Sequence, residues 1–315
     1  MEKKTISIII PAYNEVENIP LIHQKVQEVF NTIPNYDYNI LFVNDGSTDK
    51  TLEVIKQRSQ IDNKVCYIDF SRNFGKEIAT TAGIQQCQGD ACIMVDADLQ
   101  HPVDLIPKFI QQWEEGSEIV TGVRNKNKSE GLIKKIGSFS FYKIINFIGD
   151  VKIVPQATDF RLLDKKVIHE FKRFTEKERM TRALIDWMGF KLSYIYFDAN
   201  ERMNGQAGYS KFKLLKLALN SFIAYSLFPL RLAGYIGVII SFLFGLLGLF
   251  ILIGKYIVHN AFALSFSGPA QLAILLVFLV GIVLISFGLM SFYIAVIHRE
   301  TLNRPLYIIR EKKLS

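Results

Sequence analysis

Two carboxylates, Asp96 and Asp98, are separated by one alanine and stand at the end of an apolar run, Cys92–Val95. Carboxylates at this spacing can bind one divalent cation, and hard oxygen ligands favour Mg²⁺ or Mn²⁺. Acidic turns are common, so the pair is unspecific by itself, and its position among other polar loops is what favours a metal site. We interpret the nearby His101 as part of a His-Pro helix entry, with a third metal ligand as the alternative.

A second polar cluster, Asn44-Asp45-Gly46-Ser47-Thr48-Asp49, follows the apolar run Ile40–Val43. Its residue types are typical of a turn that caps the next helix. Asp45 could in addition accept a hydrogen bond from a base or a ribose. The sequence has no GxGxxG and no GxxxxGK[ST], so the glycine loops of dinucleotide and P-loop sites are missing.

Five short apolar runs must position these groups. They are Ile6–Ile10, Ile40–Val43, Val65–Phe70, Cys92–Val95 and Ile119–Val123. Runs without in/out alternation suit strands buried on both faces, and amphipathic stretches lie between them. This order predicts an α/β protein with a doubly wound, mostly parallel sheet. Polar residues follow each run, and ligands bind at the carboxyl ends of such strands, so we expect an active site at that rim.

The C-terminal third of the chain differs in composition. Leu232–Ile253 and Leu272–Ile297 contain no charged residue, and each exceeds the roughly 20 residues that cross a bilayer. Basic residues flank the pair on both outer sides, which places both flanks in the cytosol. We predict a cytosolic catalytic domain (1–209), amphipathic interfacial helices (210–230), a two-helix anchor (231–298, spans about 232–254 and 272–297) and a basic cytosolic tail (299–315). This describes a multi-pass protein of the inner (cell) membrane.

Charge and cysteine content narrow the function classes. The net charge of the 315 residues is +7, which with predicted spans favours anionic lipid or a phosphorylated substrate over nucleic acid. Cys66, Cys87 and Cys92 show no CxxC spacing and fit a reducing compartment without a disulfide or zinc scaffold. The spans contain no ionisable Asp, Glu, Lys or Arg, which argues against an ion-coupled transporter.

Six motifs in order carry a resemblance to a known family. They are Ile-Pro-Ala-Tyr-Asn-Glu (10–15), Val-Asn-Asp-Gly-Ser-Thr-Asp (43–49), Arg-Asn-Phe-Gly-Lys (72–76), Asp-Ala-Asp-Leu-Gln-His-Pro (96–102), Ala-Thr-Asp-Phe-Arg-Leu (157–162) and Glu-Arg-x-x-Gly-x-x-x-Tyr-Ser-Lys (201–211). Together they resemble the polyisoprenyl-phosphate glycosyltransferases, GT-A-fold enzymes of glycosyltransferase family 2 that include dolichyl-phosphate mannose synthase and the bactoprenol glucosyltransferases. The similarity covers about residues 5–211, and the two spans match the bactoprenol type. Asn44 departs from the pattern, because many relatives have Asp there.

The resemblance implies an inverting, metal-dependent hexosyltransferase that moves a sugar from a nucleotide sugar to a polyisoprenyl phosphate. Residues implied to bind the nucleotide sugar are Pro11, Ala12, Tyr13, Glu15, Asp45, Lys76, Asp96, Gln100 and Arg124. Residues implied to bind the acceptor phosphate are Lys134, Ser138, Arg161, Arg202, Ser210 and Lys211. The implied metal ligands are Asp96 and Asp98, and the implied catalytic residues are Asp159, Asp98, Arg202 and Lys211.

The role of Asp159 stays open between a general base and an orienting group. A phosphate monoester has a second pKa of about 6, so the acceptor is mostly a dianion at neutral pH and does not need a base. Since both substrates are negatively charged, cationic residues matter more than a base does.

The donor and the assembly state also stay open. UDP-glucose and undecaprenyl phosphate are the substrates we expect, and GDP-mannose is the main alternative donor. A processive polysaccharide synthase is an alternative enzymatic function. A membrane module that binds a nucleotide sugar without turnover is the non-enzymatic alternative. Small residues in the first predicted span are compatible with a homo-oligomer such as a tetramer.

Overall fold

The computed structural model describes residues 3–125, 156–177, 180–198 and 268–314, together with the single residues 239, 242 and 246. Several predicted features lie outside the described residues. These are Lys134, Ser138, Arg202, Ser210, Lys211, the amphipathic segment 210–230 and all but three residues of the first predicted span.

The described elements alternate between strands and helices over most of the chain. The strands are β1 (Thr5–Ala12), β2 (Asp37–Asn44), β3 (Val65–Phe70), β4 (Ala91–Met94), β5 (Ile119–Arg124), β6 (Ala157–Asp164), β7 (Leu192–Phe197) and β8 (Ile309–Lys313). The α-helices are α1 (Asn18–Thr32), α2 (Thr51–Ile61), α3 (Lys76–Gln86), α4 (Ile106–Glu114), α5 (Lys165–Phe171), α6 (Thr181–Trp187) and α7 (Gly268–Thr301). A 3₁₀ turn, Val103–Leu105, precedes α4.

The strands form one eight-stranded sheet in the order β7-β5-β6-β4-β1-β2-β3-β8. Strands β1 to β4 are mutually parallel, and β5 is parallel to β7. Strand β6 runs antiparallel between β4 and β5, and β8 runs antiparallel to β3 at the edge. The α/β class and the five predicted strands are therefore confirmed. The sheet is mixed but mostly parallel, as predicted, because six of the eight described strands run in one direction and β6 and β8 run in the other.

The sheet is buried on both faces, as the unbroken apolar runs predict. The neighbouring residues Ile8 and Ile9 are both fully buried but belong to different clusters. Ile8 packs in the cluster that includes side chains of α1 and α4, and Ile9 packs with side chains of α3, α5 and α6. Helix α3 approaches β1 so closely that a Cβ at Gly83 would lie 2.2 Å from a methyl carbon of Ile9.

The last strand differs from the expectation of a basic tail. Residues 309–313 pair with β3, although four of these five residues are charged. Charged side chains are common on edge strands, where they discourage pairing with other molecules. A search for apolar runs does not detect such a strand, which is why the sequence predicted a tail.

The described residues fall into two compact units. One unit holds the described residues up to 198 together with 304–314, and the other holds α7 and its end. Among the helical residues that the structure describes, no stretch is long and apolar enough to cross a membrane. The two predicted spans are therefore not confirmed and stay predictions.

Candidate active site

The predicted site residues gather at one edge of the sheet. Tyr13 and Glu15 follow β1, Asp45 follows β2, and Asp96 comes shortly after β4. Arg124 is the last residue of β5. Because these strands run in the same direction, their carboxyl ends meet at one rim, which is where α/β sheets bind ligands.

Asp45 holds the loop that follows β3. Its two carboxylate oxygens accept hydrogen bonds from the backbone N–H groups of Phe74, at 2.7 Å, and Gly75, at 2.9 Å. Burial raises the pKa of Asp45, and the two N–H groups oppose that rise because they stabilise the carboxylate. In this structure Asp45 therefore positions residues 71–75, which we call the β3 loop.

Asn44 and Asp69 form a buried pair beside Asp45. The Asn44 side-chain amide donates to Oδ1 of Asp69 at 2.7 Å, and its oxygen accepts from the Ser47 hydroxyl at 2.5 Å. The Ser47 hydroxyl in turn accepts from the backbone N–H of Asn14 at 3.0 Å. Sequence reasoning missed Asp69, and the available signal was a carboxylate inside an otherwise apolar strand.

Gly46 permits a close contact between the loops after β2 and β3. Its φ is +63°, and a Cβ built there would lie 2.3 Å from the carbonyl carbon of Arg72. A side chain at this position would push the β3 loop away. The Asn-Asp-Gly sequence thus serves the packing of two loops as well as the turn itself.

The β1 end contributes an exposed ring and a fixed carboxylate. The side chain of Tyr13 is exposed, whereas Pro11 and Ala12 belong to β1. Glu15 donates its backbone N–H to the Thr51 hydroxyl at 2.9 Å, and its side chain accepts from Asn18 at 2.5 Å. An exposed aromatic ring at this rim can stack on a flat ligand group.

Lys76 joins two carboxylates from distant parts of the sequence. Its ammonium lies 2.6 Å from Oδ1 of Asp96 and 3.1 Å from Oδ2 of Asp159. Burial lowers the pKa of Lys76, but the charges of Asp96 and Asp159 outweigh this effect and raise it above the usual value. Sequence reasoning had placed Lys76 near the nucleotide and did not foresee the contact with Asp159.

Asp159 is surrounded by positive charge. Burial would raise its pKa, but Lys76, Arg182 and Arg161 lower it below the usual value. The Arg182 Nε lies 3.7 Å from Oδ1 of Asp159 and has no hydrogen-bond partner within the part of the chain that the structure describes. A carboxylate with a lowered pKa stays ionised and is a weak base, so this geometry favours the orienting role of Asp159.

Arg124 and Gln100 meet beside the carboxylate pair. The Arg124 Nη2 donates to Oε1 of Gln100 at 3.0 Å, and the Gln100 backbone N–H donates to Oδ1 of Asp98 at 3.1 Å. Among the described residues, the buried Nε of Arg124 has no hydrogen-bond partner. Because such orphaned donors are costly, this nitrogen is suited to an anionic ligand that supplies the missing acceptor.

His101 supports the backbone of the carboxylate pair. It is buried, its ring stacks on Phe160 with centroids 5.2 Å apart, and its Nδ1 accepts from the Asp96 N–H at 3.2 Å. Burial lowers the pKa of His101, which keeps the ring neutral and able to accept that bond. His101 thus has a positioning role beyond the helix entry that we predicted.

The residues present fit a divalent cation. No group of three or more His, Cys, Asp or Glu side chains in the described ranges is arranged to hold a metal. Mg²⁺ sites on phosphate substrates, however, use only one or two carboxylates, and phosphate oxygens complete the shell. Asp96 already binds one cation, the Lys76 ammonium, through Oδ1. Asp96 and Asp98 would hold the metal in such a site.

Arg161 is not placed to meet an acceptor phosphate. Its side chain is 1% exposed, and its guanidinium donates to both carboxylate oxygens of Asp186, at 2.6 and 3.3 Å. The N–H of its Nε donates to the Thr158 carbonyl at 3.2 Å. The implied role of Arg161 in acceptor binding therefore has no support in this geometry, which shows a structural ion pair.

Comparison with known proteins adds independent findings. The model of the family described as glycosyl transferase family 2 matches residues 7–171. The glycosyltransferase YkcC of Bacillus subtilis is 39% identical over 305 residues, which are 97% of this chain and 93% of that protein. A prophage bactoprenol glucosyl transferase homolog of Escherichia coli is 34% identical over 308 residues, 98% of this chain and 99% of that protein. The bactoprenol glucosyl transferase of Shigella phage SfX has the same identity and coverage.

A solved structure shares the fold. Mannosyl-3-phosphoglycerate synthase from Rubrobacter xylanophilus superposes with a TM-score of 0.50 over 74% of this chain and 75% of that one, at 15% identity. At this identity the likeness concerns the fold alone, and it agrees with the mixed GT-A sheet described above.

Proposed function

The chain belongs to glycosyl transferase family 2, and we propose that it transfers glucose from UDP-glucose to a polyisoprenyl phosphate such as undecaprenyl phosphate. Relatives named as bactoprenol glucosyl transferases are 34% identical over nearly the whole of both chains, and they support this acceptor and this sugar. The observation that carries the proposal within this chain is the gathering of Lys76, Asp96 and Asp159 at the rim.

The donor site lies between the β3 loop and the carboxylate pair. We assign the base and ribose to the rim beside Tyr13 and Glu15, where the β3 loop is held by Asp45. The diphosphate lies toward Asp96 and Asp98, and the orphaned Nε of Arg124 donates to one of its oxygens. A bound Mg²⁺ or Mn²⁺ supplies Lewis-acid stabilisation of the leaving diphosphate.

The reaction is a direct displacement. An oxygen of the acceptor phosphate forms a bond to the anomeric carbon, and the bond from that carbon to the diphosphate breaks. UDP leaves with the electron pair, and the configuration at the anomeric carbon inverts. The phosphate dianion carries no proton that must be removed, so Asp159 orients Lys76 and the sugar instead of acting as a base.

The catalytic residues of this scheme are cationic as well as acidic. Lys76 offsets the negative charge that develops on the diphosphate, and Arg182 adds a second positive charge beside Asp159. Arg202, Lys211, Ser210, Lys134 and Ser138 lie outside the described residues, and we propose them as acceptor-phosphate contacts on the strength of the motifs alone.

We also propose a multi-pass protein of the inner (cell) membrane with its catalytic domain in the cytosol. The pairing of β8 with β3 supports this topology, because the strand that follows the second predicted span lies in the same sheet as strands that precede the first. A chain that returns to its own sheet must cross a membrane an even number of times, as two spans do. Basic flanks on both sides of the spans favour the cytosol for that shared side.

A transfer assay tests the reaction. The full chain in detergent receives undecaprenyl phosphate, Mg²⁺ or Mn²⁺, and labelled UDP-glucose, UDP-galactose, UDP-N-acetylglucosamine or GDP-mannose in separate reactions. We expect label from UDP-glucose in the organic phase and its loss with EDTA. Label from GDP-mannose alone would overturn the choice of donor, and a long water-soluble polymer would indicate a processive synthase.

Asp98→Asn is the matched variant for this assay, and Asp104→Asn on the exposed face of the 3₁₀ turn is its control. We expect Asp98→Asn to lower transfer by at least about 100-fold, because it removes one of two metal ligands. The control variant should transfer at the wild-type rate. No transfer from any donor by folded wild-type protein would contradict the lipid-phosphate acceptor.

A further inference from the structure

The C-terminal segment 304–314 lies against the elements that support the donor site. Its strand β8 pairs with β3, with Asp69 opposite Glu311 and Phe70 opposite Ile309. Ahead of the strand, the ring of Tyr307 stacks on Phe70 with centroids 5.1 Å apart. The Tyr307 hydroxyl donates to Gln85 of α3 at 2.9 Å, so the segment touches both the strand and the helix that flank the β3 loop.

The segment also binds the first residue of the β3 loop. The Ser71 backbone N–H donates to the Ile308 carbonyl at 3.0 Å. The Ser71 carbonyl accepts from Nη2 of Arg310 at 2.8 Å. Both backbone groups of Ser71 are therefore held by the C-terminal segment, only three residues before the Phe74 N–H that Asp45 binds.

Arg310 reaches the buried carboxylate beneath the loop. Its Nη1 lies 3.4 Å from Oδ2 of Asp69, whose side chain is 1% exposed. The other carboxylate oxygen of Asp69 accepts a hydrogen bond from the Asn44 amide. The Asn44 oxygen accepts from the Ser47 hydroxyl, which in turn accepts from the Asn14 backbone N–H. A buried carboxylate is costly without an ionic partner, and among the described residues Arg310 is the cation paired with Asp69.

Two routes thus lead from Arg310 to the donor rim. One passes through Ser71 to the β3 loop, and the other passes through Asp69 and Asn44 to the loop after β1. We propose that Arg310 is a positioning residue for the nucleoside diphosphate and that it acts, together with the Ile308 carbonyl, through Ser71 and Asp69. This inference rests on the proposed function, since it concerns the nucleotide sugar that the function requires.

If Arg310 positions the nucleotide, replacing it should change the affinity for UDP much more than the kcat. Arg310 does not touch the carboxylates of the metal site, so its loss alters the shape of the nucleotide end and leaves the reacting end in place. We expect Arg310→Ala to weaken UDP binding about tenfold, in line with the loss of a charged hydrogen-bond pair, and to raise the KM for UDP-glucose by the same factor. The kcat should change by less than about twofold.

The matched control lies on the same strand. Lys312→Ala removes an ammonium that donates to Oε1 of Gln86 on α3, at 3.2 Å, and that has no contact with Ser71 or Asp69, so this variant should bind UDP like the wild type. Arg310→Lys keeps the charge but loses the fork that binds Asp69 and Ser71 together, and it should give an intermediate affinity. If Arg310→Ala does not fold, Arg310→Lys carries the test.

UDP binding to the full chain in detergent, measured by titration calorimetry with Mg²⁺, separates the outcomes. Wild-type transfer together with unchanged UDP affinity and KM in Arg310→Ala would overturn the inference and leave the proposed function intact. An equal loss in Lys312→Ala would also overturn it, because a general effect of the strand would then explain both variants. Wild-type protein that binds neither UDP nor GDP would overturn the proposed function and this inference together.

Discussion

The ammonium of Lys76 lies 2.6 Å from Oδ1 of Asp96, the first carboxylate of the proposed metal pair. A positive group is thus already present where a divalent cation is expected. The same ammonium contacts Asp159, which comes 83 residues later in the sequence. Metal binding must therefore share Asp96 with Lys76 or displace the lysine toward Asp159 and the diphosphate.

Replacing Lys76 should separate metal binding from catalysis. We expect Lys76→Met to bind Mn²⁺ severalfold more tightly, because the ammonium no longer competes for Asp96. Transfer should nevertheless fall by at least about tenfold, since the diphosphate loses a stabilising positive charge. Electron paramagnetic resonance of free Mn²⁺ and the transfer assay measure the two effects, with the exposed Lys108→Met as the control. Weaker Mn²⁺ binding would show that Lys76 does not compete with the metal.

Replacing Asp159 should distinguish orientation from proton transfer. The pKa of Asp159 is lowered by Lys76, Arg182 and Arg161 against the effect of burial, so it is ionised at neutral pH and is a weak base. We expect Asp159→Asn to keep measurable transfer, reduced by no more than about 100-fold. The dependence of the rate on pH should keep its shape, because the acceptor phosphate titrates at about pH 6.

A complete loss of transfer in Asp159→Asn would contradict the orienting role. Transfer abolished at every pH, with UDP binding intact, would make Asp159 the general base. Asp198→Asn, at the exposed residue that follows β7, is the matched control for this variant.

Replacing Arg161 should lower the stability of the fold and leave the binding of the acceptor lipid unchanged. The buried Arg161 forms an ion pair with the partly buried Asp186, and removing the guanidinium leaves that carboxylate without this partner. We expect Arg161→Met to lower the free energy of unfolding by about 3 kcal/mol. The double variant Arg161→Met/Asp186→Leu should regain part of that loss. Urea unfolding in detergent measures this, and an unchanged stability with a raised KM for the lipid would favour the acceptor role implied by the motif.

Asp90 should make the fold sensitive to acid. Its carboxylate accepts from the Thr5 N–H at 3.0 Å and lies 3.3 Å from the Lys165 ammonium, and these contacts lower its pKa while partial burial opposes them. Because the pKa of Asp90 is lower in the folded state, its ionised carboxylate stabilises the fold at any pH above the unfolded pKa of about 3.9. That stabilisation is lost as the pH falls through the folded-state pKa.

The variant Asp90→Asn tests the direction of this pH dependence of stability. Asp90→Asn should melt at a lower temperature than the wild type at pH 7, and the two melting temperatures should converge as the pH drops below about 4. The exposed Asp104→Asn should melt like the wild type at each pH. A difference between Asp90→Asn and the wild type that persists in acid would show that the ionised carboxylate is not the cause.

Sequence reasoning located the rim because the strands that build it are buried on both faces. Runs such as Val65–Phe70 are visible without any alignment, and parallel strands bring their carboxyl ends to one edge. The polar residue types after each run led to the predicted metal pair and nucleotide end, which stay predictions, and the structure confirms only that these residues gather at the rim. These features depend on short stretches of sequence, which is why they could be predicted.

The partners of these residues could not be predicted in the same way. The contact of Lys76 with Asp159 and that of Asp69 with Arg310 join residues that are far apart in the chain. Arg161 occurs in a motif that implies a ligand, yet its partner Asp186 lies on a helix with no motif of its own. Charge pairs across a fold depend on packing, and a single sequence does not show which charges meet.

The position of β8 at the end of the chain sets an order on biosynthesis. The N-terminal part of the chain leaves the ribosome first, and its described residues up to 198 contain the other seven strands of the sheet. Arg310 and its strand emerge only after α7 and everything before it has been made. The nascent protein can therefore fold most of its sheet early, since domains fold as they are synthesised, but it lacks the edge strand that holds Asp69 and Ser71 until residues 308–313 have been made. The contacts to Asp69 and Ser71 would then form only after α7 and the segment behind it have been synthesised.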